Sequence, residues 1–172
     1  MVVRPAKRSD FDRVAGIYRA GYSEVKDNPN FGDYLRLKKP THSTEEKWKK
    51  NIYNDIKNGD FVYLVAEERG KILGFCYASK KDVPDSEMSH IGSVGIRVVK
   101  NYRGKGIGTQ LLKKLIEKCK GKFDILEINV LRNNKKAIKL YKKFNFKTWG
   151  IAPNYVKRGK RYIDMEYMCL KL

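Results

Sequence analysis

The sequence predicts one mixed α/β domain spanning residues 1–172, and three observations carry that prediction. Apolar residues alternate between strand-like runs and helical stripes along the whole chain. The stretch Val94–Leu112 passes from an apolar strand through an Arg-Gly-Lys-Gly-Ile-Gly turn straight into an amphipathic helix. The 172 residues, 41% of them hydrophobic, suffice for one domain with a substantial core.

The elements follow in order. Val2 to Arg4 reads as a short first strand. Ser9 is placed as the cap of a first helix, whose amino end Asp10 and Asp12 favour. Phe11, Val14, Ala15, Ile17 and Tyr18 give its stripe, which ends near Gly21. Residues 23–42 show no clean period and hold Pro29, Gly32 and Pro40, so they read as a loop or broken helix that walls a substrate. Ser43-Thr44-Glu45-Glu46 matches a capping box, and Trp48, Ile52 and Ile56 carry a second helix to Gly59. Phe61–Ala66 and Ile72–Ala78 are strands around a turn at Glu68–Lys71. A locally acidic loop, Lys81–Glu87, precedes a strand from His90 to Val99. The next helix places Leu111, Leu112, Leu115, Ile116 and Cys119 on one face, and Ile125–Val130 is again a strand. Asn133 or Asn134 caps a helix with Ala137, Ile138, Tyr141 and Phe144 on one side. Phe146 to Ile151 and Tyr162 to Leu170 are the last strands, separated by Pro153 and the basic loop Lys157–Arg161.

Bulk chemistry narrows the setting. No apolar leader opens the chain and no run reaches the length of a membrane span, so a cytoplasmic protein is expected. Cys76, Cys119 and Cys169 are odd in number and far apart, which suits reduced thiols and suggests no metal site. Lys and Arg number 38 against 19 acidic residues, a net charge of +19. Such a charge would suit a polyanion. However, no basic-aromatic recognition motif is present, and many lysines lie on outer helix faces, such as Lys113, Lys114, Lys118 and Lys120, so a generally basic surface is favoured over nucleic-acid binding.

The glycine turn has a physical use. Glycines at 104, 106 and 108 remove Cβ atoms from the path of a ligand. The helix behind them offers unpaired N–H groups and about half a positive charge, which together make an anion site. Arg103 and Lys105 add mobile positive charge. The spacing matches neither the dinucleotide fingerprint nor the P-loop, so on spacing alone a tight turn without a ligand remains open.

Arg103-Gly104-Lys105-Gly106-Ile107-Gly108 resembles the [Q/R]-x-x-G-x-[G/A] acetyl-CoA signature of the GNAT N-acetyltransferases. Downstream, Asn134, Ala137, Tyr141 and Phe146 fall where that family has N-x-x-A-x-x-x-Y-x-x-x-G-F. Asn145 replaces the family's Gly, and Asn also tolerates the left-handed conformation of a helix end. The resemblance implies a mixed, mostly antiparallel sheet flanked by helices and splayed at the strand that receives acetyl-CoA. It implies direct acetyl transfer to a primary amine, with no metal. Phosphates would bind on Arg103, Gly104, Lys105, Gly106, Ile107, Gly108 and Thr109. The pantetheine arm would pair with the backbone of Ile96 and Val98 on a bulged strand, with the Val98 N–H as oxyanion donor, and Asn134 and Ala137 would lie toward the thiol end.

The chemistry defines the remaining roles. An amine with a pKa near 10 must lose a proton at a cost of about 4 kcal/mol at neutral pH, and the departing thiolate needs one. Tyr141 is the candidate general acid by resemblance; its helical spacing alone would read as core. His90, at the start of the strand, and Glu127, on the next strand, are the candidate bases, with ordered water as a third route. His42 is a weaker candidate for lining the acceptor site. The acceptor would enter among residues 22–42, 82–87 and 152–161, as a small-molecule, peptide or protein amine. A non-catalytic acyl-CoA sensor and a basic nucleic-acid module remain alternatives, and a homodimer is left open.

Overall fold

The computed structural model describes residues 1–27, 41–81 and 87–172. Their seven strands form one sheet: β1 (Val2–Pro5), β2 (Phe61–Glu68), β3 (Lys71–Lys80), β4 (Ile91–Val98), β5 (Ile125–Leu131), β6 (Lys147–Arg158) and β7 (Arg161–Lys171). The spatial order is β1-β2-β3-β4-β5-β7-β6, and every adjacent pair except β4 and β5 is antiparallel. The mixed, mostly antiparallel sheet is therefore the one expected. Helices cover both faces. α3 (Ile107–Cys119) and α4 (Lys135–Lys143) pack on one core, where Leu111, Leu112 and Leu115 meet Leu126, Ile128 and Met168. α1 (Phe11–Asp27) and α2 (His42–Asn58) close the other, where Phe11 and Val14 meet Tyr63, Val65 and Phe75. Among the described residues no helix is long and apolar enough to cross a membrane.

Several elements depart from the sequence reading. α1 continues past Gly21 to Asp27. A Cβ on Gly21 would collide with the Arg97 guanidinium, lying 2.8 Å from its Cζ, so this glycine makes room for a buried arginine and does not end the helix. Arg97 lies over the Tyr18 ring, 5.1 Å from its centroid. At the front of α1, Arg8–Asp10 form a 3-10 turn. Asp10, not Ser9, closes it, accepting from the Lys7 N–H at 2.7 Å. α2 starts at His42 under Thr41, because Thr41 and Thr44 exchange side-chain and backbone hydrogen bonds and so make the reciprocal cap two residues earlier than Ser43 would. Gly59 ends it in the left-handed region, as expected.

The largest difference lies at residues 152–161. This stretch is not a loop but the end of a long hairpin, in which β6 runs through Pro153 to Arg158. The strand absorbs the proline by slipping register between Ala152 and Val156, where Asn154 sits at a φ of 55°.

Candidate active site

β4 and β5 share only three residue pairs: Ile91 with Ile125, Gly92 with Leu126 and Ser93 with Glu127. Beyond them β4 stays with β3 as far as Val98, and β5 stays with β7 as far as Leu131. The sheet therefore forks toward the carboxyl ends of two parallel strands. No extra residue interrupts the β3–β4 register from Gly92 to Val98, so the expected bulge in β4 is absent. The fork comes from β5 following β7, not from an insertion in β4.

Register decides which backbone groups enter the opening. The Lys81 N–H donates to the Ile91 carbonyl, and the Val99 N–H donates to the Leu73 carbonyl. Hydrogen-bonded pairs alternate along an antiparallel ladder, so odd-numbered residues of β4 bond to β3. Ile96 and Val98 point their N–H and carbonyl groups away from β3, into the fork, past the last β5 partner. The Val98 carbonyl accepts from Arg103 Nε at 2.9 Å, while its N–H has no sheet partner. Their side chains pack on the α3 core.

β4 leads into the glycine turn at the mouth of this opening. Gly104 and Gly106 have φ of 77° and 79°, and a Cβ on either would meet nothing within 4 Å. The first helical bond of α3 runs from the Gln110 N–H to the Gly106 carbonyl, which leaves the N–H groups of Ile107, Gly108 and Thr109 as orphan donors. Gly108 differs from its neighbours: a Cβ there would press on Leu140 at 3.3 Å, so it serves the approach of α4. Arg103 is not a mobile charge. Glu24 of α1 binds its guanidinium at 2.7 and 3.0 Å. The Lys105 ammonium lies 5.3 Å from the centre of the Tyr102 ring.

α4 begins on the other side of the opening. Asn134 is its cap, accepting from the Ala137 N–H at 3.2 Å, which decides between Asn133 and Asn134. Tyr141 is 5% exposed, in the core beside Phe146 at 6.0 Å between ring centres. Asn145 takes a φ of 64°, the left-handed turn for which the glycine is usual.

The candidate bases separate. His90 is exposed at the closed end of the fork, its Nδ1 2.8 Å from the Glu87 carbonyl. Glu127 pairs in register with Ser93 at the point of divergence, on the sheet face opposite α3, and meets Lys81 Nζ at 2.9 Å. His42 is exposed at the start of α2, 3.9 Å from Glu46. Residues 28–40 and 82–86 of the expected acceptor walls lie outside the described residues. Sequence reasoning missed Glu24, which carries no local signal, and Arg97, whose isolated charge in an apolar strand was a signal. Among the described residues no cluster of His, Cys, Asp or Glu could hold a metal.

A helix amino end beside two strands with unpaired backbone groups fits an extended ligand whose anionic end sits at the turn and whose amide-bearing arm lies in the fork. Open space over Gly104 and Gly106, orphan donors at 107–109 and the outward groups of Ile96 and Val98 match the pyrophosphate and pantetheine of an acyl-CoA, which defines a CoA-dependent acyltransferase class. The model of the Acetyltransferase (GNAT) family matches residues 28–146, and the chain belongs to that family. An L-amino acid N-acetyltransferase of Escherichia coli strain K12 is 26% identical over 170 residues, covering 98% of this chain and 96% of the relative. An N-alpha-acetyltransferase of Sulfurisphaera tokodaii is 30% identical over 168 residues, covering 92% and 87%. A solved N-acetyltransferase from Staphylococcus aureus Mu50 superposes with a TM-score of 0.84 at 27% identity over 99% and 97% of the two chains. A putative acetyltransferase from Salmonella typhimurium, solved with acetyl-CoA, has the same fold at a TM-score of 0.85 and 19% identity, over 100% of this chain and 94% of that one. The protein is an acetyl-CoA-dependent N-acetyltransferase that acts on an amine.

Proposed function

We propose that the acceptor is an α-amino group, on a free amino acid or at a chain end, and that it attacks from the sheet face opposite α3. The observation that carries this reading is the fork after Ser93 and Glu127, which opens the sheet to both faces at one point. The relatives named for L-amino acids and for N-alpha substrates share an α-amine, which supports the acceptor class.

Each residue then has a task. Ile107, Gly108 and Thr109 donate N–H groups to phosphate oxygens, and Gly104 and Gly106 let them approach. Lys105 adds charge. Arg103 reaches the phosphates only by exchanging Glu24 for them, so it contributes less than a free arginine would. Ile96 and Val98 hold the amide-bearing arm by strand-like pairing, and the Val98 N–H stands ready for the acyl carbonyl oxygen, whose charge grows during attack. Asn134 fixes the start of α4, and the Ala137 N–H is spent on that cap. Tyr141 supplies the proton to the leaving sulfur. Glu127 takes the amine proton, directly or through water; its place at the fork favours it over His90. Acetyl-CoA supplies the activated acyl group, and a basic surface of net charge +19 draws its phosphates in.

The test pairs direct acetyl-CoA binding with CoA release in the presence of α-amines, ε-amines and polyamines. Tyr141→Phe should lower kcat at least tenfold (about 1.4 kcal/mol) and leave the acetyl-CoA Kd nearly unchanged. Full turnover in that variant, with chemistry limiting, removes Tyr141 as the acid. Turnover only with polyamines removes the α-amine reading.

A further inference from the structure

On the face opposite α3, one row of residues still crosses the fork base: Lys147, Cys169, Glu127, Ser93 and Ser79. The next row on that face is split. Tyr167 and Asn129 stand on one lip; Gly95, covered by the Tyr77 ring, stands on the other. β6 slips register twice beside this point, once between Thr148 and Gly150 and again between Ala152 and Val156. The first slip leaves Trp149 outside the ladder, and the second leaves Tyr155 outside it. Both rings converge on Tyr167: Trp149 at 5.5 Å and 51°, Tyr155 at 6.2 Å and 81°. Yet Trp149 is 59% and Tyr155 60% exposed.

Bulges re-aim side chains, and two in one strand that aim at a single ring build a surface rather than fill a core. Flat rings with few rotatable bonds give up little entropy when they hold a partner. Asn129, exposed and in register with Tyr167, adds a polar group on the side nearest the fork. Charge narrows the partner further. Lys147 shares this face, and the chain carries +19, so a second cationic group on the acceptor is disfavoured.

We infer that Trp149, Tyr155 and Tyr167 form the specificity pocket for the acceptor, holding the apolar or aromatic side chain next to the α-amine that is acetylated. This rests on the proposed entry of an α-amine from this face.

The experiment measures kcat/KM for L-phenylalanine, L-leucine, glycine and L-lysine, and for tripeptides beginning with the same residues, in the wild type, Trp149→Ala, Tyr155→Ala and Tyr155→Phe. Acetyl-CoA Kd and thermal unfolding are recorded for each. Free amino acids and tripeptides distinguish the two sources of the same amine. The wild type should prefer phenylalanine and leucine to glycine by roughly tenfold or more, the scale of apolar side-chain discrimination. Trp149→Ala and Tyr155→Ala should raise KM for the apolar acceptors roughly 5- to 20-fold with kcat held, and leave glycine and acetyl-CoA Kd unchanged. Tyr155→Phe, which keeps the ring, should retain most of the preference. Equal loss on every acceptor, or none, overturns the pocket. So does a wild type that binds acetyl-CoA yet acetylates no apolar α-amine, an outcome that leaves the acetyl-CoA site standing; absence of acetyl-CoA binding overturns both. A concentration-dependent dimer dissolved by Trp149→Ala, without a change in acceptor kinetics, would assign the rings to self-contact instead.

Discussion

Gly95→Ala tests whether the two lips of the fork are built to the tolerance described. Alanine normally improves a strand interior by about 0.5–1 kcal/mol over glycine. Here the added Cβ would lie 2.5 Å from Tyr77 Cε1 and 2.6 Å from its hydroxyl oxygen, well inside ordinary contact. The ring cannot swing away freely. It stacks on Tyr63 at 5.6 Å and tilts against Phe61 at 5.4 Å. Overpacking of this kind costs about 1–3 kcal/mol. The net loss is therefore about 0–2.5 kcal/mol, or up to roughly 10 °C in Tm for a domain of this size. Urea or thermal unfolding of Gly95→Ala, Tyr77→Ala and the double variant measures it as a cycle. In the Tyr77→Ala background Gly95→Ala should turn neutral or stabilising, giving a coupling of roughly 1–3 kcal/mol. Acceptor KM should rise in Gly95→Ala while acetyl-CoA Kd holds, because Ile96 and Val98 keep their outward groups. A variant that is more stable than the wild type, or two effects that simply add, would refute the reasoning.

Three further outcomes are expected. Asn134→Ala removes the α4 cap and should cost about 0.5–2 kcal/mol, seen as a lower urea midpoint at unchanged slope. Gly106→Ala meets no neighbour but must hold a φ of 79°, so it should lose about 1–2 kcal/mol of stability and weaken acetyl-CoA binding by calorimetry; unchanged affinity in the folded variant removes this turn from the phosphate assignment. Burial alone would raise the Asp10 carboxyl, but hydrogen bonds from Arg4 and the Lys7 N–H, with their charges, outweigh it and hold the carboxyl below its usual range. A depressed folded-state pKa stabilises above the unfolded value of 3.8 and is lost as pH falls below it, so Asp10→Asn should destabilise at pH 7 and flatten the acid limb of an unfolding-versus-pH curve.

What the sequence made legible was local. The strand–turn–helix at Val94–Leu112 needs only contiguous residues, and the Asn134 cap lies three residues from the donor it binds. The remainder depends on distant partners. Gly21 looks like a helix end because the Arg97 that requires it is placed by the sheet, on a different element. Arg103 looks free because Glu24 approaches only once α1 packs on the sheet. Pro153 looks like a strand terminator because a slipped register is invisible before the β7 partner is known. Tyr141 shows the opposite limit: its spacing alone reads as a core ring, and its burial fits a core ring and a proton donor alike.

The three-pair junction of β4 and β5 also makes the protein its own reporter. In the unliganded chain the amide hydrogens of Ile96 and Val98 have no cross-strand acceptor, so they should exchange with deuterium far faster than those of Arg97 or Phe75, one ladder position away. A ligand arm in the fork acts as a temporary eighth strand and closes those two amides. Their slowed exchange would register donor occupancy without any turnover and without a label on the cofactor.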